Sequence, residues 1–224
     1  MFSRKTVKFL NDLSSNNNRV WFDQNKERYE DEVRGPALEY IQTMAEPLRK
    51  ISPHFIASPK KVGGSLMRVH RDIRFSKDKT PYKTNIGIQF RHERGKDVHA
   101  PGFYLHIEPG DVFIAGGIWH PDSPTLKNVR MLMDEHQAEW KKLTRKLVTK
   151  DGFELQGDTL KRPPAGYAIE HPLIEDLKRK DFIAVQSIKV SSVYAKDFVA
   201  QSSKLFRQCA PLVKFVCEAN DLEF

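Results

Sequence analysis

The chain has 224 residues, 39% of them apolar and 10% aromatic, enough for a packed core in one large domain or two small ones. Its 37 Lys and Arg against 29 Asp and Glu leave a net charge of +8, and half of that excess sits in residues 68–83, where six Lys or Arg face two Asp. With no apolar run of about 18 residues, no apolar leader and no C-x-x-C spacing around Cys209 and Cys217, a membrane span, a secretory signal, a disulfide framework and a zinc knuckle are all disfavoured, and the expectation is a cytoplasmic protein with two buried free thiols.

Taken in order, the first third reads as helical. Phe2, Thr6, Phe9 and Leu13 recur at helical spacing behind Ser3 as a candidate N-cap, and the asparagines at 16–18 read as a turn. Trp21 and Phe22 open a second, charged helix. Gly35-Pro36 is expected to stop it and start a third, with Leu38, Ile41, Ala45 and Leu48 facing inward. Beyond Pro53 the pattern turns to strands.

Residues 67–75 alternate Met67, Val69, Ile73 and Phe75 with Arg68, His70, Asp72 and Arg74, and only Arg71 breaks the apolar row, so a strand is predicted there. It leads into Ser76–Pro81, a cationic loop with turn chemistry, and then to Tyr82 and Lys83. Ile86, Ile88 and Phe90 alternate with Gly87, Gln89 and Arg91, and Phe103, Leu105 and Ile107 with Tyr104, His106 and Glu108. Each is therefore a strand with one core face and one polar face. Pro109-Gly110-Asp111 joins the second to a hairpin partner at Val112–Ala115, which Gly116-Gly117 ends as a bulge or turn.

A long helix follows, with Asp122 or Ser123 as its cap and Leu126, Val129, Met133, His136, Trp140, Leu143 and Leu147 as its inner stripe. Lys141, Lys142, Arg145 and Lys146 lie outside it as a solvated face. The remainder carries a loop at 160–166, a short helix near 173–179, a strand at 182–190, and a C-terminal helix that Pro211 should kink or restart.

The segment Arg71-Asp-Ile-Arg-Phe-Ser-Lys-Asp-Lys-Thr-Pro-Tyr-Lys-Thr84 closely resembles the signature of a widespread conserved family of unknown function, of about this length. Gly102–Gly110, Gly116–Pro121, Leu126–Arg130 and Leu160–Pro164 resemble it too, so the likeness spans nearly the whole chain. The resemblance implies a single-domain cytoplasmic protein and brings no activity with it.

The fold expected is α+β: a single domain over 1–224, helical in 1–52, with a central, mostly antiparallel sheet core in 64–119 and a helix-rich part in 122–224. N-terminal and C-terminal helices pack on the sheet. Three functional readings arise from the residues. In the favoured one, Arg68, Arg71, Arg74, Lys79, Tyr82, Lys83 and Arg130 bind a small anionic ligand carrying a phosphate or carboxylate, while Asp72, Asp78 and Glu108 could instead pair internally with the arginines. Hydrolytic or transfer chemistry would fall to His70 or His106 as general base, oriented by Asp72 or Glu108. The second reading is a metal-dependent enzyme using His106, Glu108 and His120. The third is a non-enzymatic nucleic-acid or protein-binding module, with nucleic acid disfavoured because the cations are concentrated in one strand and loop. The residues leave the cofactor open and argue against a membrane partner.

Overall fold

The computed structural model describes residues 1–95 and 97–224. Helix α1 (Arg4–Ser15) starts as expected at Ser3, whose hydroxyl accepts from the Lys5 N–H at 3.2 Å while Thr6 Oγ1 accepts from the Ser3 N–H at 3.1 Å, satisfying donors that a helix start leaves free. Three further segments, α2 (Arg19–Gln24), α3 (Lys26–Tyr29) and α4 (Gly35–Arg49), follow one another closely. Gly35-Pro36 does not stop the chain as expected. A π-helical turn at Glu30–Arg34 precedes it, and the Gly35 N–H reaches back to Glu30 O. Pro36 has no N–H, and its ring crowds the carbonyl four residues earlier, so widening the turn lets the helix pass the proline. The inner face of α4 is Ala37, Tyr40, Ile41, Met44 and Leu48, whereas Ala45 is exposed and Leu38 half-buried. The larger Tyr40 and Met44 take the buried stripe.

The sheet holds β1 (Ile86–Arg91), β2 (Gly102–Glu108), β3 (Asp111–Ile118), β4 (Glu154–Gln156) and β5 (Phe182–Ser187) in the order β1-β2-β3-β5-β4, and every neighbouring pair is antiparallel. Ile88, Phe90, Phe103, Leu105, Ile107 and Ile114 are fully buried on one face, so the predicted alternation in β1 and β2 is the observed one. The hairpin turn works because Gly110 takes φ +86°, a conformation that costs glycine little. β3 does not end at Gly116-Gly117 but continues to Ile118. Gly116 leaves room for the C-terminal helix: a Cβ there would lie 2.5 Å from Cys209 Sγ.

The expected long helix is two, α5 (Ser123–Glu135) and α6 (Gln137–Thr149), broken at His136, which is exposed instead of lying in the inner stripe. Asp122 caps α5, accepting from the Thr125 N–H at 2.9 Å. Trp140 is buried and donates its indole N–H to Asp176 at 2.8 Å, tying α6 to the short α7 (Ile174–Leu177). After α8 (Val190–Val193), α9 (Phe198–Glu218) runs through Pro211 without a break in assignment and buries both cysteines. Burial pushes the Cys209 thiol far up and that of Cys217 up to about 12, so both remain neutral thiols. Among the described residues, no helix is long and apolar enough to cross a membrane.

Candidate functional site

The segment expected as a strand at 67–75 is not one. Ser65 and Met67 dock on the β1 edge through Gln89 N to Ser65 O (2.9 Å) and Met67 N to Gly87 O (2.9 Å). The chain then forms a short antiparallel arm, with Lys83 N donating to Val69 O (2.7 Å) and Arg71 N to Pro81 O (2.9 Å). Its tip leaves the sheet altogether. Asp72 accepts from the Arg74 N–H and Asp78 from the Thr80 N–H, local turns that capture the donors a strand would need. Ile73 is therefore half-buried and Phe75 96% exposed, the reverse of the predicted core row. The base of the arm is firmly anchored. Tyr82 stacks on Phe22 at 4.0 Å, and the Asn17 amide pairs with both backbone groups of Tyr82 at 2.9 and 3.0 Å, a role that reading 16–18 as a turn had not suggested.

This geometry divides the cations. Arg74 closes on Asp72 with contacts of 2.9 and 2.7 Å, Arg71 on Asp78 and Thr80, and Lys79 on the Ile73 carbonyl at 2.9 Å; Arg68 and His70 are exposed. The Arg74 guanidinium holds the Asp72 carboxyl at about 2, and the Thr80 N–H together with Arg71 does the same for Asp78. Arg130 is far along the chain on α5 and gives its guanidinium to the Leu177 and Arg179 carbonyls at 2.7 and 3.0 Å. Arg74→Ala is accordingly expected to leave the melting temperature within about 1 °C of wild type, since an exposed ion pair contributes little, and differential scanning fluorimetry checks this.

Lys83, His106 and Glu108 are brought together. The sheet face away from α9 carries a cavity of about 470 Å³ that Lys83, Tyr104 and His106 line at one end, Phe113 and Ala115 in the middle, and Gly117 and Trp119 at the other. Among its described lining residues Lys83 is the single formal charge. Its ammonium is half-buried and has no ion-pair or hydrogen-bond partner among the described residues; burial, then the nearby Arg68, pull its pKa below the ordinary lysine value. Tyr104 O–H donates to His106 Nδ1 at 3.1 Å, His106 Nε2–H points to Glu108 at 3.4 Å, and Thr84 donates to the other Glu108 oxygen at 2.5 Å. The imidazole lies flat on Phe113, centroids 4.7 Å apart and 6° between planes. Burial, with Glu108 and Asp111 nearby, pushes the Tyr104 phenol up to about 12, so it stays a hydrogen-bond donor. Gly87 makes room for that phenol, because a Cβ there would fall 2.7 Å from the Tyr104 hydroxyl. From the sequence Tyr104 stands out only as an aromatic near the cations on the strand face of His106, with nothing to mark it as that imidazole's partner.

His120 does not join His106 and Glu108. Antiparallel pairing sets Glu108 opposite Asp111 and Gly102 opposite Gly117, so the end of β3 lies about 20 Å along the sheet from Glu108. Among the described residues, no group of three or more His, Cys, Asp or Glu could hold a metal ion. His120 instead takes φ +47° and is clamped by Asp181, which is 1% exposed and accepts from the His120 N–H (2.6 Å) and Nδ1 (2.9 Å), and from the Asp158 N–H (2.8 Å). Gly157 permits this, since a Cβ there would lie 2.3 Å from that of Asp181. Asp181→Asn replaces one acceptor oxygen by a donor facing an N–H, and is expected to cost about 2 kcal/mol in urea denaturation.

A second cavity, of about 300 Å³, lies on the other side of Lys83, between Arg71, Asp78, Tyr82 and Asn85. Asp78 already neutralises Arg71 there.

Fold and site together define an α+β protein with helices packed on one face of an antiparallel sheet and, on the other, a cavity with a cation at one end. A family model described as "Conserved hypothetical protein (DUF2461)" matches residues 5–215, and the chain belongs to that family. Comparison with curated proteins and with solved structures returns no match to either.

Proposed function

We propose that the protein binds a small anionic ligand, bearing a carboxylate or phosphate, in the cavity on the open sheet face, with Lys83 receiving the charge. The observation that carries this reading is the half-buried Lys83 ammonium, which has no partner among the described residues and is the single formal charge of the described cavity lining. A desolvated cation without a counter-charge is costly, and an anion in the cavity would supply one. The excess positive charge at 68–83 would draw anions toward that mouth without touching them. His106, which lines the cavity, and Glu108 behind it are the acid–base groups from which hydrolytic or transfer chemistry would work. A single domain over 1–224 belongs to the same proposal, supported by an apolar cluster that begins at Phe2 and still engages Phe224.

The test is a thermal-shift screen of the intact protein against phosphate, nucleotides, sugar phosphates, carboxylates and divalent metals. An anion at about a hundred times its Kd should raise the melting temperature by about 5 °C or more, and Lys83→Met should abolish the rise. If no anion shifts the wild type, the reading fails.

A second reading has its own observation. Phe75 stands bare at the tip with the Arg74 guanidinium 5.9 Å from its ring, as in an interaction module that docks a macromolecule through a cation and an aromatic. Salt-dependent binding of single-stranded DNA or RNA, lost in Phe75→Ser, would favour it.

A further inference from the structure

We propose that the occupant of the sheet-face cavity is a monocarboxylate with a flat, apolar body, and that phosphate esters are poor ligands; this rests on the anion-binding reading above. Charge comes first. The described lining offers one ammonium, so a carboxylate leaves the complex near neutral, whereas a phosphate dianion would bury an uncompensated charge. The walls do not make up the difference. β2 and β3 are interior strands whose N–H groups are paired in the sheet ladder, and among the described lining residues no helix start or glycine-rich loop supplies the free backbone donors on which phosphate sites are built.

Shape comes second. From His106 to Gly102 the cavity follows β2 for roughly 13 Å, at about 3.3 Å per residue. Its floor on β3 steps from the Phe113 ring to Ala115 and then to Gly117, a trough with almost no side chain in it, bordered on β5 by Ile183 and Val185. At the far end stands Trp119, stacked on His120 at 4.1 Å and so held in place. A planar body can lie in that trough, in van der Waals contact along both edges, with its carboxylate on Lys83.

The test is isothermal titration of the intact protein with four probes of matched size: naphthalene-2-carboxylate, 2-naphthyl phosphate, naphthalene-2-carboxamide and octanoate. The naphthoate should bind about tenfold or more tighter than each of the other three. Ala115→Leu, which fills the trough, should weaken it about tenfold with an unchanged melting temperature. If that variant unfolds, quenching of Trp119 fluorescence by naphthoate, absent in Trp119→Phe, reports the same placement in a folded protein. Tighter binding of the phosphate, or of octanoate, overturns this inference and leaves the anion-binding reading standing. Binding of the carboxamide as tightly as the carboxylate, or no binding of any anion, overturns both.

Discussion

Gly117→Ala is expected to cost about 4 kcal/mol, the largest stability loss of any single methyl addition on the sheet. Two independent facts set the size. Gly117 has φ +137°, where an L-residue is strained by about 1 kcal/mol or more, and the added Cβ would lie 1.9 Å from the Phe182 carbonyl oxygen with the Ile183 Cα only 3.0 Å away. These are backbone atoms of β5, so relief means opening the β3–β5 ladder at the Gly117–Ile183 pair. Against a total stability of about 5–15 kcal/mol, that leaves the fold marginal. Gly110→Ala separates strain from collision: Gly110 has φ +86° and nothing within 4 Å of the added methyl, so its cost should be about 1 kcal/mol. Equal urea midpoints for the two variants would falsify the crowding argument.

The same residue shows what a sequence conceals. Period-two alternation in Ile86–Arg91 and Phe103–Glu108 exposed both strands because each has one wet and one dry face, and the short turn at Pro109-Gly110 made the hairpin readable. Gly116-Gly117 looked like an ending because its requirements come from Cys209 and Phe182, on elements far off in sequence. The 67–75 segment failed for the opposite reason. Its alternation was genuine, but Asp72 and Asp78 bend the backbone locally, and alternation says nothing about whether a partner strand is free.

The site was legible in part. Residue type and shared strand face suggested Lys83, His106 and Glu108, and the structure sets Lys83 and His106 in one cavity, with Glu108 hydrogen-bonded behind His106. Charge density could not distinguish Lys83, which has no partner among the described residues, from Arg71 and Arg74, which have carboxylates two to seven residues away. Nor could it find Asp181, whose hold on His120 exists only once β3 and β5 are paired. The antiparallel direction of β3 carries His120 away from Glu108, a fact that depends on strand pairing and not on residue type.

Lys83→Met is expected to weaken anion binding about 100-fold or more while leaving the melting temperature of the unliganded protein equal to or above that of wild type. Removing one partner of a desolvated charge pair typically costs this much affinity. In the free protein, however, the ammonium is itself the uncompensated group, so a methionine of similar reach relieves the fold. The pH dependence has a definite sign. Burial lowers the Lys83 pKa in the folded chain, so the unfolded chain holds this proton more tightly, and Lys83 detracts from stability below its folded pKa. That penalty fades as pH rises through the folded pKa toward the unfolded one. A bound anion acts the other way and raises the pKa, so binding takes up a proton once the pH exceeds the free protein's value. Affinity should be flat below that pH and fall about tenfold per unit above it. Lys83→Arg, charged throughout, should bind with a flat profile, and Lys83→Met should show weak binding without the slope. Calorimetry in buffers of different ionisation enthalpy reads the proton uptake directly. A slope that persists in Lys83→Met would move the charge to another group and take the cavity's cation out of the recognition step.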